Sequence, residues 1–247
     1  MTYCVALKLK SGLVFMSDTR TNAGLDNIST FRKLHCWAIP GDAVVTVLSA
    51  GNLATTQAAI SLLDERSKAP GDRNPSILEQ PSMFQVARLV GETLREVIGQ
   101  HAEAGQRADS AFNATMIVGG QIGEGAPRMF LIYPEGNFIE ASDDTPFFQV
   151  GETKYGRPIL LRAFDPAMSF AGAVKLLMVS FDSTVKANLS VGLPLDFQIY
   201  RADSLVPGRV HRVERDDAYF QTISDGWGDA LRQAFDSLPP FDLPPDT

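Results

Sequence analysis

The feature that most constrains the fold is the run Ala43-Val-Val-Thr-Val-Leu-Ser49, which is apolar at successive positions rather than at alternate ones. A strand with one wet face alternates polar and apolar residues, so this run reads as a strand covered on both faces. Three strands precede it: Tyr3–Leu9, then Leu13–Ser17 across a tight turn at Lys10-Ser11-Gly12, then Phe31–Ile39, which turns at Pro40-Gly41-Asp42. Two helical patterns follow. Leu53, Ile60 and Leu63 mark a helix over 52–66, and Val86, Leu89, Val90, Leu94, Val97 and Ile98 mark a stronger one. Between them, 68–81 is rich in Pro, Gly, Asp and Asn and reads as a surface loop.

The second half repeats the order. Strands are expected at 114–119, 129–133, 137–141 and 147–150, followed by a helix near Tyr155 and a long helix over 171–189. In the long helix Val174, Leu177, Met178, Phe181 and Val185 form one apolar stripe, the signature of a core face. Strands over 195–201 and 209–215 then precede a final helix over 219–238. Strands followed by helices, twice, imply helix, sheet, sheet and helix in layers: an α+β fold of the αββα sandwich type. The whole chain, 1–247, reads as one domain. Its Pro-rich tail, 238–247, reads either as a disordered end or as an extended arm lying on a neighbouring subunit.

Composition narrows the function. With 22 basic against 29 acidic residues and no basic cluster, a nucleic-acid partner is not expected. No stretch approaches the ~20 apolar residues that a bilayer demands, so no membrane partner is expected either and the cytoplasm is the expected location. Cys4 and Cys36 lie in apolar strand-like segments and read as reduced, buried thiols. His35, His101 and His211 are scattered and sit in neither a zinc-binding nor a nucleophile-elbow context. Residues 120–125 read as a hairpin loop rather than a phosphate cradle, and Asp225 and Asp229 do not form a calcium loop. No cofactor and no metal are expected.

The candidate chemistry is at the beginning of the chain. Thr2 follows a removable Met1 and starts a strand, so its hydroxyl and its freed α-amine can act together. An α-amine titrates at roughly 7.7–8.0, low enough to serve as base toward the adjacent hydroxyl at neutral pH. Such a nucleophile needs a cation to stabilise its alkoxide and an anion to hold that cation. Lys33 and Asp18 are the candidates, Asp18 lying at the end of the second hairpin strand and so close in a sheet to the start of the first. Alone, Thr2 is an ordinary second residue, Asp18 a turn carboxylate and Lys33 a strand-edge lysine; their conjunction carries the argument.

The run 2–24, with strand, turn, strand and then Ser17-Asp18-Thr19-Arg20-Thr21-Asn22-Ala23-Gly24, resembles the N-terminal segment of proteasome β-subunits, which are N-terminal-nucleophile (Ntn) hydrolases. Phe31-Arg32-Lys33-Leu34 is similar to that family's lysine-bearing strand. The spacing from Thr2 to Asp18 matches, whereas the stretch from Gly24 to Lys33 is one residue shorter, which leaves Arg32 as the alternative to Lys33. Ser49-Ala50-Gly51 resembles the family's glycine turn, whose backbone N–H faces the scissile carbonyl oxygen, making Gly51 the oxyanion-hole candidate. Residues 148–156 resemble the family's Val-Gly-Ser-Gly-Ser segment with Glu152 in place of the first serine. Residues 186–192 are similar to the segment that supplies an aspartate and a serine: Ser190 matches, while the aspartate position falls on Ala187 or Asn188, and Glu152 is the candidate to compensate.

These departures make the chain more similar to Anbu, a bacterial proteasome-like branch, than to standard proteasome β-subunits. The resemblance spans most of the chain and implies a four-layer αββα sandwich, self-assembly into homo-oligomeric rings or open spirals, and association with ATP-grasp or transglutaminase-like proteins. It implies a threonine-type peptidase acting on peptide or amide bonds. Two alternatives stay open: an Ntn amidase acting on a small or crosslinked amide, and a catalytically silent assembly subunit, as proteasome α-type subunits are.

Overall fold

The computed structural model describes residues 2–22, 28–68, 76–103 and 112–243, with backbone alone at 22, 28 and 101–103. Met1, the Ala23-Gly24 end of the N-terminal motif, residues 69–75 of the 68–81 loop, the His101 side chain and the last four tail residues lie outside the described residues.

Strand alternation sorts the apolar residues into three cores. In β1 (Tyr3–Leu9) and β2 (Gly12–Asp18), which pair as an antiparallel hairpin, Tyr3, Val5, Leu7, Val14 and Met16 face one core while Cys4, Ala6, Leu13 and Phe15 face another. Successive apolar residues are needed because both faces of the sheet are covered. β1 also pairs with β10 (Phe147–Gly151) and β2 with β11 (Leu195–Arg201), itself paired with β12 (Val210–Val213), giving the antiparallel order β10-β1-β2-β11-β12. The second sheet runs β5 (Leu34–Ile39), β6 (Ala43–Gly51), β7 (Ala114–Ile122), β8 (Arg128–Ile132) and β9 (Phe138–Glu140), again antiparallel and in chain order. The Val44, Leu48 and Ala50 side chains of β6 join Phe15 and Cys4 between the sheets, whereas Val45 and Val47 face outward.

Helices cover both outer faces. Helices α1 (Leu53–Lys68) and α2 (Met83–Glu103) bury Leu63, Val86, Val90 and Leu94 against the second sheet. Across the molecule α3 (Arg157–Ala163), α4 (Phe170–Ala187) and α5 (Ala218–Asp236) cover the first sheet, with Leu177 and Phe181 of the α4 stripe packed on Tyr3 and Val5. This is the expected αββα sandwich. Polar pairs also cross between the sheets: Thr46 Oγ1 donates to Gln198 Oε1 at 2.7 Å, and Tyr200 Oη donates to Gln121 Oε1 at 2.7 Å.

Three local expectations are corrected. The strand expected over Phe31–Ile39 begins only at Leu34, and a small hairpin of β3 (Arg20–Asn22) and β4 (Ile28–Thr30) precedes it, so six strands rather than four come before the first helix. The reason lies in residues 31–33, which tie the two sheets together: Phe31 N–H donates to Thr19 O at 2.8 Å and Lys33 O accepts from Ser49 N–H at 3.0 Å. Residues 120–122 belong to β7 instead of a loop, since Gly120 lets the Val44 carbonyl approach to where a side chain would stand. Cys4 is buried as expected, whereas Cys36 is only half-buried; both thiols are free.

Candidate active site

The N-terminal residue of the described chain is held by backbone from the end of β10. Thr2 precedes β1 and is buried, and its carbonyl accepts the Glu152 N–H at 2.6 Å just past the end of β10. That approach depends on Gly151: its φ is +85°, and a Cβ there would lie 1.9 Å from Thr2 O.

Hairpin register brings Asp18 to Thr2. Ser17 opposes Cys4, so Asp18 falls beside Tyr3, and Tyr3 N–H donates to Asp18 Oδ1 at 2.9 Å. The same oxygen accepts from Lys33 Nζ at 2.8 Å, and Lys33 Nζ also donates to Arg20 O at 2.6 Å. Because Lys33 lies one residue before β5, its side chain is not bound to the alternation of that strand. Both side chains are almost fully buried. Burial pushes the Asp18 carboxyl above its ordinary value, against the opposing charge and hydrogen bond of Lys33. Asp18 Oδ2 is buried outside hydrogen-bonding geometry with any described group, the Gly192 N–H being the one that faces the carboxylate.

Thr2 opens onto a cleft of about 600 Å³ walled by Lys33, the end of β6 at Ser49, Ala50 and Gly51, and the first turns of α1 at Thr56 and Gln57. Gly51, with φ +122°, makes the turn from β6 toward α1; a Cβ there would meet Asn113 O at 2.4 Å. Asn52 Oδ1 then accepts the Thr55 N–H at 3.1 Å and starts the helix. Cys4 is the other nucleophilic atom close by, but burial pushes its thiol far above the ordinary range and its Sγ faces Ser49 O at 3.5 Å. It stays protonated and inert.

Behind Thr2 runs a second polar chain. Glu152 is buried; its Oε2 accepts from Asn188 Nδ2 at 2.9 Å and its Oε1 from Lys154 N–H at 3.3 Å. Asn188 Oδ1 in turn accepts the Ser190 N–H at 2.9 Å. Among the described residues, no group of three or more His, Cys, Asp or Glu side chains is gathered to hold a metal ion, and no helix is long and apolar enough to cross a membrane.

No protein-family model matches the chain, and no curated protein does. Solved structures do. Anbu from Yersinia bercovieri, described as an ancestral β-subunit, is 47% identical over 98% of this chain and 100% of its own, with a TM-score of 0.91. A mutant of Anbu from Hyphomicrobium sp. strain MC1 is 48% identical over 98% of this chain and 100% of its own, with a TM-score of 0.90. Anbu from Pseudomonas aeruginosa, whose complex forms a helical assembly, is 46% identical over 98% of both chains, with a TM-score of 0.91. The chain belongs to the Anbu family, among the proteasome-like Ntn hydrolases.

In this Anbu chain the residues expected from sequence fall into two groups. Thr2, Lys33 and Gly51 line the cleft with Asp18 buried behind Lys33, and it is Lys33 rather than Arg32 that meets Asp18. Glu152 and Ser190 lie behind Thr2, where Ser190 joins the chain through its backbone N–H. Of the two residues at the position left open, Asn188 is the one bonded to Glu152, whereas Ala187 is the exposed last residue of α4. Three participants went unread in the sequence: the Tyr3 amide, the Arg20 carbonyl and the polar wall of α1. The wall had a signal. Thr56 and Gln57 stand at helical spacing between Leu53 and Ile60, where a core face would be apolar throughout.

Proposed function

We propose that this chain is a threonine-type amide hydrolase working on peptide bonds once Met1 is removed. The observation that carries the reading is the buried Lys33–Asp18 pair, 2.8 Å apart and anchored to the Tyr3 amide one residue from the nucleophile. A lysine buried against a carboxylate is costly to hold and adds little net stability, so its value lies in what its charge does at Thr2.

In this mechanism Thr2 Oγ attacks the scissile carbonyl carbon and the free Thr2 amine takes the hydroxyl proton. Lys33 stabilises the alkoxide electrostatically, and the Gly51 N–H donates to the oxyanion. The tetrahedral intermediate collapses to an ester on Thr2 as the Thr2 ammonium returns its proton to the leaving amine. Water, deprotonated by the same amine, then cleaves the ester, releases the carboxylic acid and restores Thr2. Asp18 positions Lys33, while Glu152, held by Asn188, supplies negative charge on the amine side of Thr2.

Assembly is part of the proposal. Leu231, Phe235, Leu238, Phe241 and Leu243, at the end of α5 and along the Pro-rich tail, are each more than half exposed, an apolar surface suited to another copy of the chain. The helical assembly of the Pseudomonas aeruginosa relative supports self-association of this chain as well.

The test is the intact mass of natively expressed protein, followed by reaction with an electrophile that closes a ring on both a hydroxyl and its adjacent free amine. The expected outcome is a mass lacking Met1 and a single adduct on Thr2. Retained Met1 with no adduct would establish a silent assembly subunit instead.

A further inference from the structure

The charge lining the cleft is opposite in sign to the charge of the chain. Formal net charge is −7, with 29 acidic residues, yet among the described residues no Asp or Glu lines the cleft beside Thr2. Its charged lining consists of Lys33 and Arg32, with His35 between the cleft and its neighbour. These three are not equivalent. Lys33 is engaged by Asp18 and the Arg20 carbonyl. Burial pushes the His35 imidazole below its ordinary value, so the ring is neutral at physiological pH. Arg32 is exposed and makes no ion pair among the described residues. One acidic side chain, Asp64, lines the adjoining cavity of about 320 Å³ that Arg32 also borders, but it is paired with Lys68 on the same helix. The remaining polar lining beside Thr2, namely Thr21, Ser49, Asn52, Thr56, Gln57 and Ser61, offers hydrogen-bonding groups of no net charge.

We infer that the cleft selects an acidic peptide, with a glutamate or aspartate side chain next to the scissile amide and Arg32 as its specificity-determining residue. A guanidinium presents its donors in a planar fork that matches both oxygens of a carboxylate, and the described lining holds no carboxylate that competes for it. An aliphatic side chain would leave Arg32 and the hydroxyl-bearing wall unpaired, and a basic one would face the charge of Arg32. The inference rests on the reading of Thr2 as nucleophile, because that is what makes this cleft the place where substrate lies.

Binding to the full-length Thr2→Ala protein tests it without relying on turnover, so its failure is separable from failure of the hydrolase reading, which the Thr2 adduct decides. The probes are two acetylated tetrapeptide amides, identical except for a C-terminal glutamate or glutamine residue, titrated at low and at high salt. The glutamate peptide should bind on the order of fivefold tighter at low salt, the gain of a partly exposed ion pair, with the difference shrinking as salt is added. In an Arg32→Gln, Thr2→Ala protein the two peptides should bind alike. Equal binding of the two peptides to the Thr2→Ala protein, no measurable binding of the glutamate peptide, or a preference that survives Arg32→Gln overturns the inference.

Discussion

Lys33 Nζ lies 2.8 Å from Asp18 Oδ1, and neither side chain is more than 5% exposed. The pair stands at the point where the first sheet, through β2, meets the segment leading into the second, so it connects the two halves of the sandwich as well as charging the site. Removing one member leaves the other buried without compensation, which costs roughly 3–5 kcal/mol for a buried pair. Lys33→Met and Asp18→Asn should therefore each lower stability in urea denaturation, since each leaves the partner's charge buried and unpaired. The double variant should regain part of the loss while reaction of Thr2 with the electrophile stays abolished. A Lys33→Met protein as stable and as reactive as the parent would contradict both roles.

Gly151 provides a test of geometry without altering any charge. Its φ of +85° is strained for any residue with a side chain, and a Cβ would fall 1.9 Å from the Thr2 carbonyl oxygen. Gly151→Ala must therefore push Thr2 away from Glu152 N–H or open the end of β10. The expected cost is about 1–3 kcal/mol in denaturation midpoint terms, with loss of the Thr2 adduct out of proportion to the loss of stability. A variant that is destabilised but still labels at the parent rate would show that Thr2 is not held by this contact.

His35 gives a pH dependence whose sign can be worked out. Its folded value is depressed below the ordinary 6.5 by burial and by the Arg32 charge, against the pull of Asp64 and Asp196 and a hydrogen bond to the Arg32 backbone. The unfolded chain then binds the proton more readily than the folded one, so stability is complete above about pH 6.5 and declines as pH falls through that value toward the folded one. His35→Gln should flatten this part of the stability-against-pH curve. An unchanged slope in the variant would assign the decline to other groups.

The sandwich was legible because residues 43–49 are apolar without alternation and because strands precede helices in both halves of the chain. The β3–β4 hairpin was not legible: its strands are three residues each, polar except for Ile28, and separated by a segment with no hydrophobic period. Missing it placed Lys33 inside a strand, although the freedom it gains just outside β5 is what lets it reach Asp18. The partners of Lys33 were half legible. Asp18 could be found from hairpin register, whereas the Arg20 carbonyl could not, because a backbone oxygen leaves no mark in residue identity. Asn188 was legible only as an alternative to Ala187, because its importance comes from the side chain of Glu152 36 positions away.

Glu152 stands where the proteasome β-subunit segment it resembles has a serine, and its surroundings suggest what the exchange does. Its backbone is bonded to Thr2 O at 2.6 Å and its buried carboxylate is oriented by Asn188 at 2.9 Å. On the proposed reading this carboxylate acts on the freed Thr2 ammonium, favouring the charged form and raising the pH at which the amine becomes a base. Glu152→Gln keeps the size and one acceptor for Asn188 but removes that charge. The rate of Thr2 labelling should then reach its plateau at a lower pH, by roughly half a unit or more, with little change in melting temperature. Asn188→Ala, which frees the carboxylate to turn away, should move the profile in the same direction by less. If Glu152→Gln lowers the plateau rate without moving the pH profile, Glu152 acts on Thr2 through its backbone contact alone.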